Sequence, residues 1–330
     1  MAQVANEPVT ITGEPQAGGE PSQQVIGRSP WELFWRRFRR DRFAIAGLFF
    51  LGLIILLAVA APLFAKITGH PPNSTEFLRV ATDEVGLPKG PNADFWFGAT
   101  RNGQDVFVRV LYGARTSLSV AVVATSISLV IGVTLGMAAG FYRGKVDTVI
   151  SRVIDIVLSL PILLLALGLV AACGLSREGC LGGLIKPGLL LVSYVIGLFS
   201  WPYIARIVRG QVLSLREKEF IEAARSLGSG NLRIMTREVL PNVVAPIIVY
   251  TTLIIPNNIL FEAALSFLGI GVPSTTPSWG RMLSDASVQG IYTVAPWLMI
   301  FPGLFLFLTT LAFNLVGDGL RDALDPKTAR

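Results

Sequence analysis

The sequence predicts an all-α polytopic membrane protein with six transmembrane helices. Three observations carry that expectation. The 330 residues are 52% hydrophobic and only 15% charged, with mean hydropathy +0.59. Soluble domains carry roughly 25% charged residues, so this chain lacks the charge to cover a water-facing surface. Second, the apolar residues fall in long runs near 43–65, 116–141, 148–173, 184–205, 243–265 and 292–317. The first run alone spans about 34 Å as a helix, enough for a hydrocarbon core of roughly 30 Å. Lipid offers no partner for backbone N–H groups, and the runs lack the alternation of barrel strands, so they read as helices. Third, 19 of the 28 lysines and arginines fall in residues 1–42, 142–152, 206–241 and 318–330. That bias sets both termini in the cytoplasm, in a multi-pass chain. The net charge of +6 is then a topological signal, and nucleic acid is not the expected partner.

In chain order, residues 1–28 are rich in Gly, Pro, Gln and Glu without an aromatic residue, which predicts a disordered cytoplasmic tail. Ser29-Pro30-Trp31-Glu32 forms a capping box that starts a helix over 29–42. Trp31, Phe34, Trp35 and Phe38 share one face of it and Arg36, Arg37, Arg39 and Arg40 the rest. The expected place for that helix is the membrane interface, aromatic side in lipid and arginines on anionic headgroups. The first span, 43–65, is too long and too late for a cleaved signal peptide. Residues 66–114 form an outer segment, too small for its own core yet long for a connector. Its His70 has no ligand-type residue at metal-binding spacing and reads as a solvated loop residue, and Asn73-Ser74-Thr75 matches a glycosylation sequon. No metal site is expected.

Five spans over 115–317 complete the membrane region, ahead of a tail at 318–330. The second span carries Gly132, Gly136 and Gly140, a row that lets another helix approach closely. The third holds Pro161 and Asp155, an ionisable residue deep enough to be a pathway candidate and near enough to Arg152 for a structural ion pair. The fifth carries Pro246, Pro256, Asn257, Asn258 and Glu262, polar groups that belong against protein or a water-lined pathway. Cys173 and Cys180 bound an eight-residue outer segment. A disulfide and two free thiols both fit that spacing.

The largest cytoplasmic loop, 216–241, reads REKEFIEAARSLGSGNLRIMTREVLP. Phe220, Ile221, Ala224 and Leu227 fall on one helical face, opposite Lys218, Glu219, Glu222, Arg225 and Ser226. Gly228 suits the positive φ of a helix terminus. A second short helix, 232–239, leads to Leu240-Pro241. Such a helix could dock in a protein groove, and the lipid surface satisfies the same pattern. No catalytic set is visible: one histidine excludes a two-histidine H-E-x-x-H site, and GFYRGKV at 140–146 has the wrong glycine spacing for a phosphate-binding loop.

The stretch EAARSLG, with LP after it, resembles the EAA loop of ABC-importer permeases. FGATRNGQDVFVRVLYGARTSLSV, ALSFLGIGVPSTTPSWGRML and PGLFLFLTTLAFNLVGDGLRDALDPK are similar to the C-type permease of dipeptide, oligopeptide and nickel importers, from about residue 30 to 327. Two departures stand out. Gln104 replaces the usual arginine before Asp105-Val106, and Glu238 occupies the isoleucine position of the motif that ends the loop.

The resemblance implies a type I importer permease fold in the bacterial cytoplasmic membrane. It implies a sister permease, two ATPase subunits that hold the ATP and magnesium, and an extracytoplasmic substrate-binding protein. Peptides are the expected cargo, with nickel or oligosaccharides as alternatives; a stand-alone secondary transporter is the reading from another class. The loop residues Phe220, Ile221, Glu222, Ala223, Ala224, Arg225, Leu227, Gly228, Leu240 and Pro241 would couple to the ATPases. Trp96, Phe97, Trp279 and Arg281 are the expected docking residues for the binding protein.

Overall fold

The computed structural model describes residues 30–175, 188–273 and 275–324. The expected tail at 1–28, Cys180 and the end of the C-terminal tail lie outside them. Five helices are long and apolar enough to cross a membrane, or six if one bent pair counts as a span, and no strand longer than an isolated bridge occurs among the described residues. A short helix α1 (Pro30–Phe38) precedes the first span α2 (Arg42–Thr68), which Asp41 caps by accepting from the Phe43 and Ala44 amides. The segment after α2 contains one turn, α3 (Leu78–Ala81), before the 37-residue α4 (Val106–Tyr142), whose N-cap is Asp105.

The third span differs from expectation. It is two helices, α5 (Gly144–Ser159) and α6 (Ile162–Leu175), bent by 85°. Pro161 is the cause: a residue before proline avoids helical ψ, and Leu160 sits at φ −82°, ψ 145°. The chain continues through α7 (Leu189–Leu215), α8 (Glu219–Ser226) and α9 (Asn231–Arg233). A π-helical stretch, Ile234–Val239, then runs into α10 (Leu240–Phe267), and Pro246 and Pro256 do not break that helix. A cap at Ser278 starts α11 (Trp279–Ser287). The last span, α12 (Trp297–Leu324), carries seven residues of the expected 318–330 tail as helix.

Helix α4 is the axis of the fold, and its glycine row explains its tightest partner. A Cβ on Gly132 would stand 2.6 Å from the Cβ of Ile204, one on Gly136 2.6 Å from the Ala205 carbonyl oxygen, and one on Gly140 2.7 Å from the Cβ of Val212. All three neighbours are on α7, so the α4–α7 contact exists only because those side chains are absent. Helices α2 and α12 close the other side through Ala44, Leu51, Ala312 and Val316. Phe34 and Phe38 of α1 bury in that same cluster, so these two rings, expected in lipid, pack on the protein, while Trp35 stays partly exposed with Arg39 over its ring.

Candidate functional site

The interhelix loop after α7 presents a helix below the bundle, and the sequence dictates how it is held. Its N-terminal side is tied to the end of α4. The Arg216 guanidinium donates to the Phe141 carbonyl, and Arg143 pairs with Glu217 at 2.9 Å. Arg216 and Arg225 lie over the Phe141 ring, 5.9 and 5.6 Å from its centre. Burial holds Arg216 below its ordinary pKa; Arg225 and Arg143 add to that, and Glu217 opposes it. The exposed Arg143–Glu217 pair contributes little by itself. The anchor is the Phe141 carbonyl and ring, which local sequence patterning did not reveal because 75 residues separate Phe141 from Arg216.

The faces of α8 divide differently from the expected pattern. Ile221 is fully buried, and Ala224 packs with it against Val212, Ile234 and Val239 of this same chain. Phe220 is partly exposed and Leu227 is 85% exposed, with Leu232 72% exposed just beyond. Hence the inward side is Ile221 and Ala224, whereas Phe220, Glu222, Ala223, Arg225 and Leu227 face outward. Gly228 ends the helix at φ +80°, with its amide bonded to the Arg225 carbonyl and the Ser229 amide to that of Ala224. Leu240 is half-buried and Pro241 exposed where α10 begins. The departure at Glu238 falls inside the π-helical stretch, between buried Ile234 and Val239.

A cavity of about 750 Å³ opens between α6, α7 and α10. Phe199, Ser200, Tyr203, Tyr250, Asn257 and Asn258 are among the residues that border it, and among the described residues no charged side chain does. The sequence pointed to Asn257 and Asn258 but not to the tyrosines. Asn258 is buried, donates to Thr125 on α4 at 2.8 Å and accepts from Ser200 at 2.9 Å. Glu262, one turn on, does not reach the cavity: it is fully buried and accepts from Ser117 and Ser266, each at 2.7 Å. It clamps α10 to α4. Asp155 pairs with Arg206 of α7 at 2.9 Å rather than with Arg152, and Asp147 forms a two-toothed contact with Arg209. The bend at Pro161 leaves α5 running along α7, which brings those arginines within reach.

The opposite end of α4 adjoins the segment between α2 and α4, and three expectations change there. Trp279 is fully buried, donates to the Val110 carbonyl at 3.1 Å and covers Gly113, so it is a core residue and no docking surface. Phe97 stacks on Phe301 with ring centres 4.0 Å apart, so it too is spent on the fold. Trp96 remains exposed. His70 is not solvated: its Nδ1 lies 3.0 Å from Asp105, and its ring stacks on Phe95 with Phe77 edge-on. Gln104, the departure noted above, accepts from Arg109 at 2.7 Å, a bond that an arginine there could not make. Cys173 is buried, and its expected partner Cys180 lies outside the described residues.

Comparison with known proteins places these features. Residues 132–330 match the family described as binding-protein-dependent transport system inner membrane component, and residues 29–80 match the N-terminal TM domain of oligopeptide transport permease C. The chain is 41% identical to the dipeptide transport system permease protein DppC of Alkalihalophilus pseudofirmus, over 96% of each chain. It is also 41% identical to the glutathione transport system permease protein GsiD of Escherichia coli O6:K15:H31, over 91% of each. Among solved structures, the MetNI methionine ABC transporter in an inward-facing conformation shares the fold at TM-score 0.52 and 18% identity. That match covers 66% of this chain and 97% of the other.

Proposed function

The chain belongs to the family of binding-protein-dependent transport system inner membrane components, and from that membership we propose that it is one of two permeases in an ATP-driven peptide importer. Peptides delivered by an extracytoplasmic binding protein pass between this chain and its sister, with ATP bound and hydrolysed by two partner ATPase subunits. The observation that carries the reading is the divided surface of α8. One side is anchored to α4, α7 and the π-helical stretch, while Phe220, Leu227 and Leu232 are left in the open. An exposed apolar patch beside a rigid anchor suits docking on a second protein. Closure of the ATPase pair would then move α8 as a body and carry α4 and α7 with it, through Phe141 and the glycine row.

The cavity between α6, α7 and α10 supports the peptide part of the reading. Its size is that of small-molecule sites, roughly 300–1,000 Å³. Its apolar walls with a few amide and hydroxyl groups suit a peptide backbone, and the names of the two relatives above, one dipeptide and one glutathione permease, agree with that cargo. The test is reconstitution of both permeases, the ATPases and the binding protein in vesicles, followed by uptake of a labelled dipeptide, of glutathione and of nickel. ATP-dependent, binding-protein-dependent uptake of a peptide is the expected result. Uptake driven by an ion gradient without ATP would place the chain among secondary transporters instead.

A further inference from the structure

At the end of α4 away from the coupling loop, a polar cleft of about 330 Å³ is lined by Arg101, Asn102, Gln104, Arg109, Arg281 and Asp285, with Val288 and Ile291 at its edge. Arg109 is 97% buried; it donates to Gln104 and to the Pro72 carbonyl, and one of its nitrogens stands 3.7 Å from Asp285. Arg281 places its Nε 3.1 Å from the other oxygen of the same Asp285, but the N–H is misaligned and this buried nitrogen has no hydrogen-bond acceptor. Two guanidiniums thus share one carboxylate, itself 48% exposed. Burying an arginine is costly unless the charge is paired and its N–H groups are satisfied. Both conditions are only half met here, and the cleft has room for a second carboxylate.

We propose that this cleft receives an aspartate or glutamate side chain of the extracytoplasmic binding protein; the proposal rests on the reading above that such a protein docks on this end of the permease. A planar guanidinium binds a carboxylate through paired hydrogen bonds. The turn Val288–Thr293 adds Val288 and Ile291 to the lining of the cleft, and Val288 is exposed there. Arginine is enriched at protein-interface hot spots, where neighbouring contacts exclude water from the buried charge. A free anion makes no such neighbouring contacts. An anionic lipid headgroup offers the same chemistry, and the measurement below separates it from a protein carboxylate.

The charges make predictions of opposite sign. Asp285 competes with the incoming carboxylate, so Asp285→Asn tightens docking, whereas Arg281→Glu repels the partner and Arg281→Gln weakens it. The measurement is the affinity of the assembled importer in nanodiscs for the purified binding protein that stimulates its ATPase, at low and high salt. Arg281→Glu should raise Kd about tenfold or more and Asp285→Asn should lower it several-fold, with both differences shrinking at high salt. Should Arg281→Glu fail to assemble, Arg281→Gln and Asp285→Asn still must move in opposite directions. Both weakening docking alike would make the cluster a support of the fold and overturn the proposal, as would unchanged affinity in all three. Loss of co-purified anionic lipid with unchanged affinity would assign the cleft to a headgroup and overturn it too. A wild-type complex that no binding protein stimulates would instead bring down the importer reading, and this proposal with it.

Discussion

At the scale of single residues, what sequence missed was decided by partners far along the chain. His70 reads as a loop residue because nothing near it in sequence can pair with it. Asp105, 35 residues on, and the rings of Phe77 and Phe95 enclose it. Asp105 also caps α4, accepting from the Phe107 and Val108 amides. Asp105→Ala removes cap and partner together and should cost about 2 kcal/mol or more, since an N-cap alone contributes about 0.5–2. Asp105→Asn keeps the cap and should cost clearly less. Thermal unfolding of the purified chain in detergent separates them; equal loss in both would remove the capping role. Trp279 carries a similar lesson. An aromatic residue in an outer loop reads as a contact residue, but its indole fills the space over Gly113 that the missing side chain leaves. Trp279→Ala should therefore act on stability, by about 3–5 kcal/mol, and show as a lower melting point.

At the scale of elements, helices were legible wherever composition sets them and illegible wherever a neighbour does. The glycine row in the second span announced a close helix contact, and α7 supplies it. Gly136→Leu should drive α4 and α7 apart, whereas Gly52→Leu, where an added Cβ meets nothing within 4 Å, should be tolerated. Size-exclusion profiles of the tagged variants report this: an aggregated Gly136→Leu beside a monodisperse Gly52→Leu is the expected pair, and two intact profiles would contradict the packing. The bend of the third span could have been read from Pro161, but a continuous apolar run concealed it. For α8 the pattern gave a helix and its glycine stop, but the assignment of faces went astray. Ala224 is small because this chain's own core lies against it, and the outward apolar residues are Phe220 and Leu227.

At the scale of the whole molecule, the all-helical fold was legible because lipid leaves the backbone so few options, and the family was legible because several motifs kept their order. The proposed functional surfaces were less so, since the cavity and the arginine cleft are assembled from side chains on three or four separate elements. Topology is checked by single cysteines at Val85 and Ser229 in a chain whose native cysteines are replaced. Labelling from opposite sides is expected, and labelling of both from one side would overturn the map. The central claim, that the charged loop carries the chain's contact with its ATPases, has one direct measurement: co-purification of the ATPase subunits with Phe220→Asp and Leu227→Asp permeases, alongside peptide uptake in vesicles. Both side chains point away from this chain's core, so the variants should fold and pair with the sister permease. The account expects them to lose the ATPases and transport together; full ATPase retention with normal uptake in both would contradict it.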